Sequence, residues 1–248
     1  MPVEAVGANR ATKGAPPEAR PRTFVPIMKT LVIDIGGSHV KLLSTGRRTP
    51  VKLPSGPDLT PRRMVRDVLA ATADWGIDRV SIGYPGPVQD HRPAREPVNL
   101  GKGWTRFDFH KAFGVPVRMI NDAAMQAIGS YEGGRMLFLG LGTGLGTTII
   151  LDGVVVPLEL AHLPYRKDGS FEDYVGEAGL QAAGKRRWRK LVAEVTGMLL
   201  AATVTDYVVV GGGNARLLDP LPTHCRLGAN ANAFRGGFRL WQSSRTWR

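Results

Sequence analysis

The chain has 248 residues, 43% hydrophobic and 22% charged, and its 33 Lys and Arg against 21 Asp and Glu give a formal charge of +12. That length suits one large domain or two small ones with a substantial core, and no apolar run nears the roughly 20 residues a membrane helix needs. A single cysteine, Cys225, excludes an intramolecular disulfide and a Cys-rich zinc site, and it fits a reducing cytoplasm. The basic excess either points to an anionic partner or serves solubility alone. No zinc-finger spacing, basic zipper or aromatic ribonucleoprotein motif accompanies it, so neither nucleic acid nor a membrane is an expected partner.

Residues 1–28 are rich in Pro, Ala, Gly and Arg and lack the apolar core of a signal peptide, which predicts a disordered basic extension. A first lobe, 29–122, opens with a strand over Thr30–Ile35 that runs into Asp34-Ile35-Gly36-Gly37-Ser38-His39-Val40-Lys41. Two glycines and a serine turn the backbone tightly there and let a phosphate approach backbone N–H groups. Asp34 at the strand end can orient a hydrated Mg²⁺, and Lys41 adds positive charge nearby. Strands over 41–44 and 51–53 follow. Thr60-Pro61 then begins a helix whose apolar positions Met64, Val65, Val68 and Leu69 recur at helical spacing. A strand at Val80–Ile82 ends in Gly83-Tyr84-Pro85-Gly86-Pro87, and one at Val115–Ile120 ends in Asn121-Asp122. Between them, Asn99 and the Gly101–Trp104 segment form a loop able to line a cleft.

A second lobe, 123–248, starts with a short helix and continues with strands over 136–139, 147–151 and 154–156. A second glycine turn, Gly140-Leu141-Gly142-Thr143-Gly144-Leu145-Gly146-Thr147, separates the first two. Its glycine spacing fails the dinucleotide fingerprint, and the chain has no P-loop. Two phosphate-type turns in strand–turn–strand settings suggest a phosphotransferase with a two-lobed, actin-like fold. Glu159-Leu160-Ala161-His162 offers a carboxylate and an imidazole three residues apart, both able to bond sugar hydroxyls. A helical region over 171–203, broken near Gly184, carries the apolar stripe Trp188, Leu191, Val192, Val195 and Leu199. Lys185, Arg186, Arg187, Arg189 and Lys190 crowd the start of its second half, where the helix dipole mildly disfavours cations. A strand at Tyr207–Val210 leads into Gly211-Gly212-Gly213-Asn214, and a last helix, about 230–242, can pack back on the first lobe. No internal repeat is evident at the residue level.

Asp122, after a buried-type strand and before a helix, can take the proton of an attacking hydroxyl. Asp is also a preferred helix N-cap, so both roles stand open on spacing alone.

Taken in order, these stretches resemble the ROK family of sugar kinases, and among them the polyphosphate glucokinase branch. The matching segments are Asp34–Ser38, Gly83–Gly86, Asn121–Ala123, Leu141–Gly146, Glu159–His162, Glu172–Val175 and Gly211–Asn214, and they span nearly all of 29–241. The resemblance implies an α/β fold of two actin-like (ribonuclease H-like) lobes, with a hexose, glucose foremost, in the central cleft. It implies polyphosphate or ATP as phosphoryl donor, Mg²⁺ as cofactor and a homodimer as the assembly. Asp122 matches the base. Asp34, Gly36, Gly37 and Ser38 match the first phosphate loop, with His39 and Lys41 beside it, and Thr143 and Gly144 match the second. Asn99, Asn121, Glu159, His162 and Glu172 match sugar contacts, and Gly212 and Gly213 match a turn that meets the donor. Asp34 is the expected Mg²⁺ residue, acting through water.

The sequence departs from the family pattern in three places. Leu163–Ser170 has no cysteine where many relatives carry a zinc motif, so no zinc site is expected. His39 and Ala161 stand where glycine is usual. Two other readings remain at this level: an ATP-dependent kinase of another hexose, and a non-catalytic sugar-binding or regulatory protein on the same fold.

Overall fold

The computed structural model describes residues 28–167, 169–229, 231–242 and 247; the extension expected over 1–28 lies, except for Met28, outside them. Strands β1 (Thr30–Ile35), β2 (His39–Ser44) and β3 (Val51–Pro54) form an antiparallel meander. Helix α1 (Pro61–Ala71) leads to β4 (Arg79–Tyr84), parallel to β1. A small hairpin, β5 (Val88–Gln89) and β6 (Arg92–Pro93), and helix α2 (Phe109–Phe113) precede β7 (Val117–Asn121), parallel to β4. After α3 (Asp122–Ser130), the strands β8 (Arg135–Leu141), β9 (Leu145–Leu151) and β10 (Val154–Leu158) make a second antiparallel meander. Helices α4 (Phe171–Val175) and α5 (Glu177–Thr203) follow, then β11 (Tyr207–Gly211) and β12 (Cys225–Leu227), both parallel to β8 in direction, and finally α6 (Asn232–Arg239). The sheet orders are β3-β2-β1-β4-β7 and β10-β9-β8-β11-β12. These are one topology used twice, a duplication that the residues themselves do not display.

Five layers result. Alternation along β1 sends Leu31, Ile33 and Ile35 outward into a core with Met64, Val65 and Val68 of α1 and Phe109 and Phe113 of α2. Val32 points the other way, onto Met125 of α3 and Ala233 and Phe234 of α6. In the second lobe Leu137, Leu139 and Leu141 pack outward on Trp188, Leu191, Val192 and Val195 of α5. Met136 and Phe138 pack inward on Ala124, Ala127 and Ile128 of α3. Helices α3 and α6 thus fill the space between the two sheets. Strand β1, buried on both faces, for that reason carries the unbroken apolar run Leu31-Val32-Ile33.

Local signals account for the element ends. The Thr60 hydroxyl accepts the N–H of Arg63, and Pro61 occupies the first helical position of α1. Helix α5 breaks at Gly184 (φ 71°, ψ 155°). A second break at Gly176, which separates α4 from α5, was not expected from the sequence. Helix α2 is too short to show a period; Asp108 caps it and Gly114 ends it. Among the described residues no helix is long and apolar enough to cross a membrane.

The tightest contact lies between α3 and α6. A Cβ on Gly236 would sit 1.8 Å from the Met125 carbonyl oxygen, and one on Gly129 would sit 1.8 Å from that of Asn232. Neither side can yield without parting the helices. Gly236→Ala is expected to lower the unfolding free energy in urea by about 3 kcal/mol. Gly197→Ala, in α5 with nothing within 4 Å of an added Cβ, should instead raise it by about 0.5–1 kcal/mol.

Candidate active site

Three parallel strands end side by side. Asp34 of β1 lies across from Gly83 of β4, and Gly83 lies across from Ile120 of β7. Their carboxyl ends bring Asp34, the Tyr84–Gly86 turn and Asn121-Asp122 to one edge, where open α/β sheets hold ligands. Asp34 is buried, and its Oδ2 accepts a hydrogen bond from Lys41 Nζ at 3.1 Å. The two are cross-strand partners in the β1–β2 register. The turn between them closes through the Gly36 N–H to the His39 carbonyl at 3.0 Å, leaving Gly37, Ser38 and His39 exposed. A Cβ on Gly37 would lie 4.0 Å from that of Asn99, so the loop carrying Asn99 passes beside this turn.

The two open roles of Asp122 separate here. Asn121, not Asp122, is the N-cap of α3: its Oδ1 accepts the N–H of Ala124 at 3.1 Å, and its Nδ2 donates to the Gly86 carbonyl at 3.2 Å. Asp122 is the first helical residue, and its Oδ1 accepts the N–H of Ala123 at 2.8 Å. Burial disfavours the charged carboxylate, and the nearby charges of Asp34 and Glu159 add to that. Together they outweigh the backbone hydrogen bonds and push its pKa up to about 7.

The second glycine turn faces this edge from the other lobe. Its Gly142 N–H donates to the Gly144 carbonyl at 3.1 Å, and the exposed Thr143 accepts the Glu177 N–H on its carbonyl at 3.2 Å. A Cβ on Gly146 would lie 2.8 Å from that of Ala123, so this hairpin touches the start of α3 next to Asp122. The Gly212-Gly213 turn lies against it: the Asn214 N–H donates to the Leu141 carbonyl at 3.0 Å, and the Asn214 amide reaches Glu177 at 2.7 Å. Glu172 holds the turn as well, its Oε2 accepting the Leu145 N–H at 3.0 Å directly over Gly144. Its carboxylate therefore grips the second glycine turn, a role that its expected place among the sugar contacts does not include. Glu159 and His162 are exposed at the ends of one 3₁₀ turn, 3.7 Å apart.

The structure thus gathers Asp34, Lys41, Asn121 and Asp122 at one edge, with Glu159 close enough to act on Asp122 electrostatically. It sets Gly36, Gly37, Ser38 and His39 beside Asn99. It groups Thr143, Gly144 and Glu172 with Gly212 and Gly213. The segment after His162 closes by aromatic packing, with Tyr165 at 5.2 Å from Phe171 and 5.1 Å from Tyr174 between ring centroids.

Among the described residues no group of three or more His, Cys, Asp or Glu is arranged to hold a metal ion. Mg²⁺ arriving on phosphates keeps most of its waters and needs only one or two carboxylates, and Asp34 at the strand end is one that could face it through water.

Glu96 was not singled out from the sequence. Its carboxylate accepts the N–H groups of Gly103 (2.9 Å), Trp104 (3.1 Å) and Thr105 (3.2 Å) and the Thr105 hydroxyl (2.8 Å). Slight burial works against the charge, but the bonds from Thr105, Trp104 and Gly103 win and hold the carboxyl below its usual range. With the buried Trp104 against Tyr84 (5.6 Å between ring centroids), Glu96 fixes both ends of the loop that presents Asn99. No spacing rule announces such a pin, because its donors are backbone groups seven to nine residues away.

No protein-family model matches the chain. A polyphosphate glucokinase of Mycobacterium tuberculosis is 27% identical, over 75% of this chain and 78% of its own length. Among solved structures, an inorganic polyphosphate/ATP-glucomannokinase from Arthrobacter sp. strain KM superimposes with a TM-score of 0.73 at 23% identity, over 85% of this chain and 97% of that one. A ROK family glucokinase from Streptomyces griseus, in complex with glucose and AMPPNP, gives 0.64 at 19% identity, over 89% and 91%. The fold is that of a ROK sugar kinase. The likeness of fold covers 85% and 89% of the chain in these two superpositions, and the two actin-like lobes are present.

Two outcomes test this geometry. Glu96→Gln should lower the unfolding free energy in urea by about 1 kcal/mol, since the backbone N–H groups of Gly103, Trp104 and Thr105 lose a charged acceptor. The raised proton affinity of Asp122 in the folded state makes its contribution favourable at low pH and lost as pH rises through about 7. Asp122→Asn should abolish that slope, so that the variant is more stable than the parent at pH 8 and gains less on acidification; thermal unfolding against pH reads both.

Proposed function

We propose that the chain is a glucose kinase that moves a phosphoryl group from inorganic polyphosphate, and from ATP, to the 6-hydroxyl of the sugar. The observation that carries the reading is the placement of Asp122. It stands at the carboxyl end of β7, relieved of capping by Asn121, between two glycine turns on opposing hairpins. A kinase of this kind needs a base for the hydroxyl, donors for the phosphoryl oxygens and a site shielded from water.

In the proposed reaction the ionised Asp122 accepts the 6-hydroxyl proton as that oxygen bonds to the terminal phosphorus. The bond from phosphorus to the bridging oxygen breaks, leaving a donor shorter by one phosphate. A carboxylate with a pKa of about 7 is a better proton acceptor than an ordinary one and is still mostly ionised at slightly alkaline pH. Asn99, Asn121, Glu159 and His162 hold the sugar in this reading, and Glu172 links the sugar side to the second turn. Gly36, Gly37, Ser38, Thr143 and Gly144 offer backbone and hydroxyl donors to phosphate oxygens, Gly212 and Gly213 meet the donor farther out, and His39 lies at the turn's rim. Lys41 neutralises Asp34 until the donor arrives. Magnesium, when bound, supplies charge neutralisation on the phosphoryl oxygens, with Asp34 as its protein anchor. The same reading carries a cytoplasmic location and a homodimer, with no structural zinc.

A coupled assay with glucose and mannose, each offered polyphosphate and ATP, tests the assignment. Glucose phosphorylation by polyphosphate is expected, with turnover rising with pH through about 7 and falling about 10²–10⁴-fold in Asp122→Asn while the sugar still binds. Near-normal turnover in that variant would remove Asp122 from the chemistry.

A further inference from the structure

One strongly charged surface runs along the start of the second half of α5. The ten residues from Gln181 to Lys190 contain five cations and no acid. Lys185, Arg186, Arg187 and Lys190 are exposed, and among the described residues none of them is in an ion pair. Two internal hydrogen bonds fix where this segment lies. Trp188 Nε1 donates to the Val175 carbonyl at 2.9 Å, and the adjoining Gly176 is packed against Thr143 and Gly144 of the second glycine turn. Arg189 Nε donates to the Leu217 carbonyl, in the 3₁₀ turn Ala215–Leu217 that directly follows Gly212–Asn214. The basic segment is therefore tied from both sides to the donor end of the cleft. Helical spacing puts Arg186 beside Arg189 (i, i+3) and Lys190 beside Arg186 (i, i+4), and the exposed Arg216, next to Leu217 in sequence, adds a fourth cation. Of the carboxylates in that neighbourhood, Glu177 is engaged by Gln181 and Asn214 and Glu194 by Tyr165 and Arg166, while Asp219, three residues beyond Arg216, is exposed.

A nucleotide ends at its base, but a polyphosphate continues past the cleft with one charge or more per unit and must lie on some surface. We infer that Arg186, Lys190 and Arg216, with Arg189 at their centre, form the track that carries the distal phosphates of the donor. The inference rests on the proposed use of polyphosphate and adds to it the surface that makes chain length matter. Cations crowded at the start of a helix repel one another and the helix dipole; a polyanion laid across them relieves both, and each neutralised phosphate releases counterions.

The test is the triple variant Arg186→Gln, Lys190→Gln, Arg216→Gln, exposed positions that leave the Arg189 contact intact. Its kcat/KM is measured with long-chain polyphosphate, tripolyphosphate and ATP over a range of salt. With long-chain polyphosphate the KM at low salt should rise about tenfold or more. The slope of log(kcat/KM) against log[salt] should flatten by about 2, at roughly 0.7 per lost contact. The constants for tripolyphosphate, ATP and glucose should stay within about twofold. An unchanged salt slope and polyphosphate KM in a variant that remains active would overturn the track and leave the kinase assignment standing. Equal losses with all donors would also overturn it, by showing a general effect on the cleft. A parent protein that uses ATP but no polyphosphate at low salt would overturn the donor assignment and the track together.

Discussion

Helices α3 and α6 cross with backbone against backbone, and the position of each chemical group in the cleft follows from that contact. Helix α3 begins at Asp122, on the edge of the first sheet, but packs its Ala124, Ala127 and Ile128 on the second. Helix α6 comes from the end of the second lobe and returns to the first, where the Gly237 carbonyl accepts the Ser81 hydroxyl and Trp241 Nε1 donates to Ser81. Arg118 of β7 donates to the Leu240 carbonyl, and Arg239 donates to the carbonyls of Ile128 and Tyr131 at the end of α3. Each lobe thus lends a helix to the interface with the other. Side chains at Gly129 or Gly236 would move Asp122 relative to both glycine turns at once, because its helix is the shared wall.

The chemistry is set against this rigid wall at a cost in stability. Asp34 and Glu159 are near enough to raise the proton affinity of Asp122; Lys41 is bonded to Asp34 and His162 lies 3.7 Å from Glu159. Bringing like charges together around a desolvated carboxyl is unfavourable for the folded chain and would serve the base proposed for this edge, which is the usual trade at a reacting site. The surroundings resolve the tension by geometry. Asn121 takes over the helix cap, which leaves one oxygen of Asp122 without a competing hydrogen bond among the described residues.

Much of this was legible in the sequence, for physical reasons that differ by element. Strands buried on both faces, such as β1 and β8, are apolar runs that end at glycines, and the Trp188–Leu199 stripe has an unmistakable helical period, so the lobes could be drawn from pattern alone. The division of labour between Asn121 and Asp122 could not. Both residue types cap helices, and their assignment depends on a one-residue difference in where the helix begins. Glu172 and Glu96 were opaque for another reason: each binds backbone N–H groups, which every residue has, so no partner residue type marks them. The hairpin β5–β6 and strand β12 are two or three residues long and have no period to detect.

The duplicated topology explains why the internal repeat is silent in the residues. In the first hairpin the last paired residues are Ile35 and Val40, and the pair just inside them is Asp34 and Lys41. In the second the last pair is Leu141 and Leu145, and the pair just inside is Gly140 and Gly146. One structural position therefore carries a half-buried ion pair in one lobe and two glycines in the other. The ion pair puts charge at the edge where Asp122 stands. The glycine at 146 leaves the space that Ala123 enters, which is what lets the start of α3 reach across from the first sheet to the second. An ion pair in that second position would hold α3 away and open the cleft, and glycines in the first would leave it without a carboxylate. The two halves diverged where the cleft needs charge from one side and room from the other.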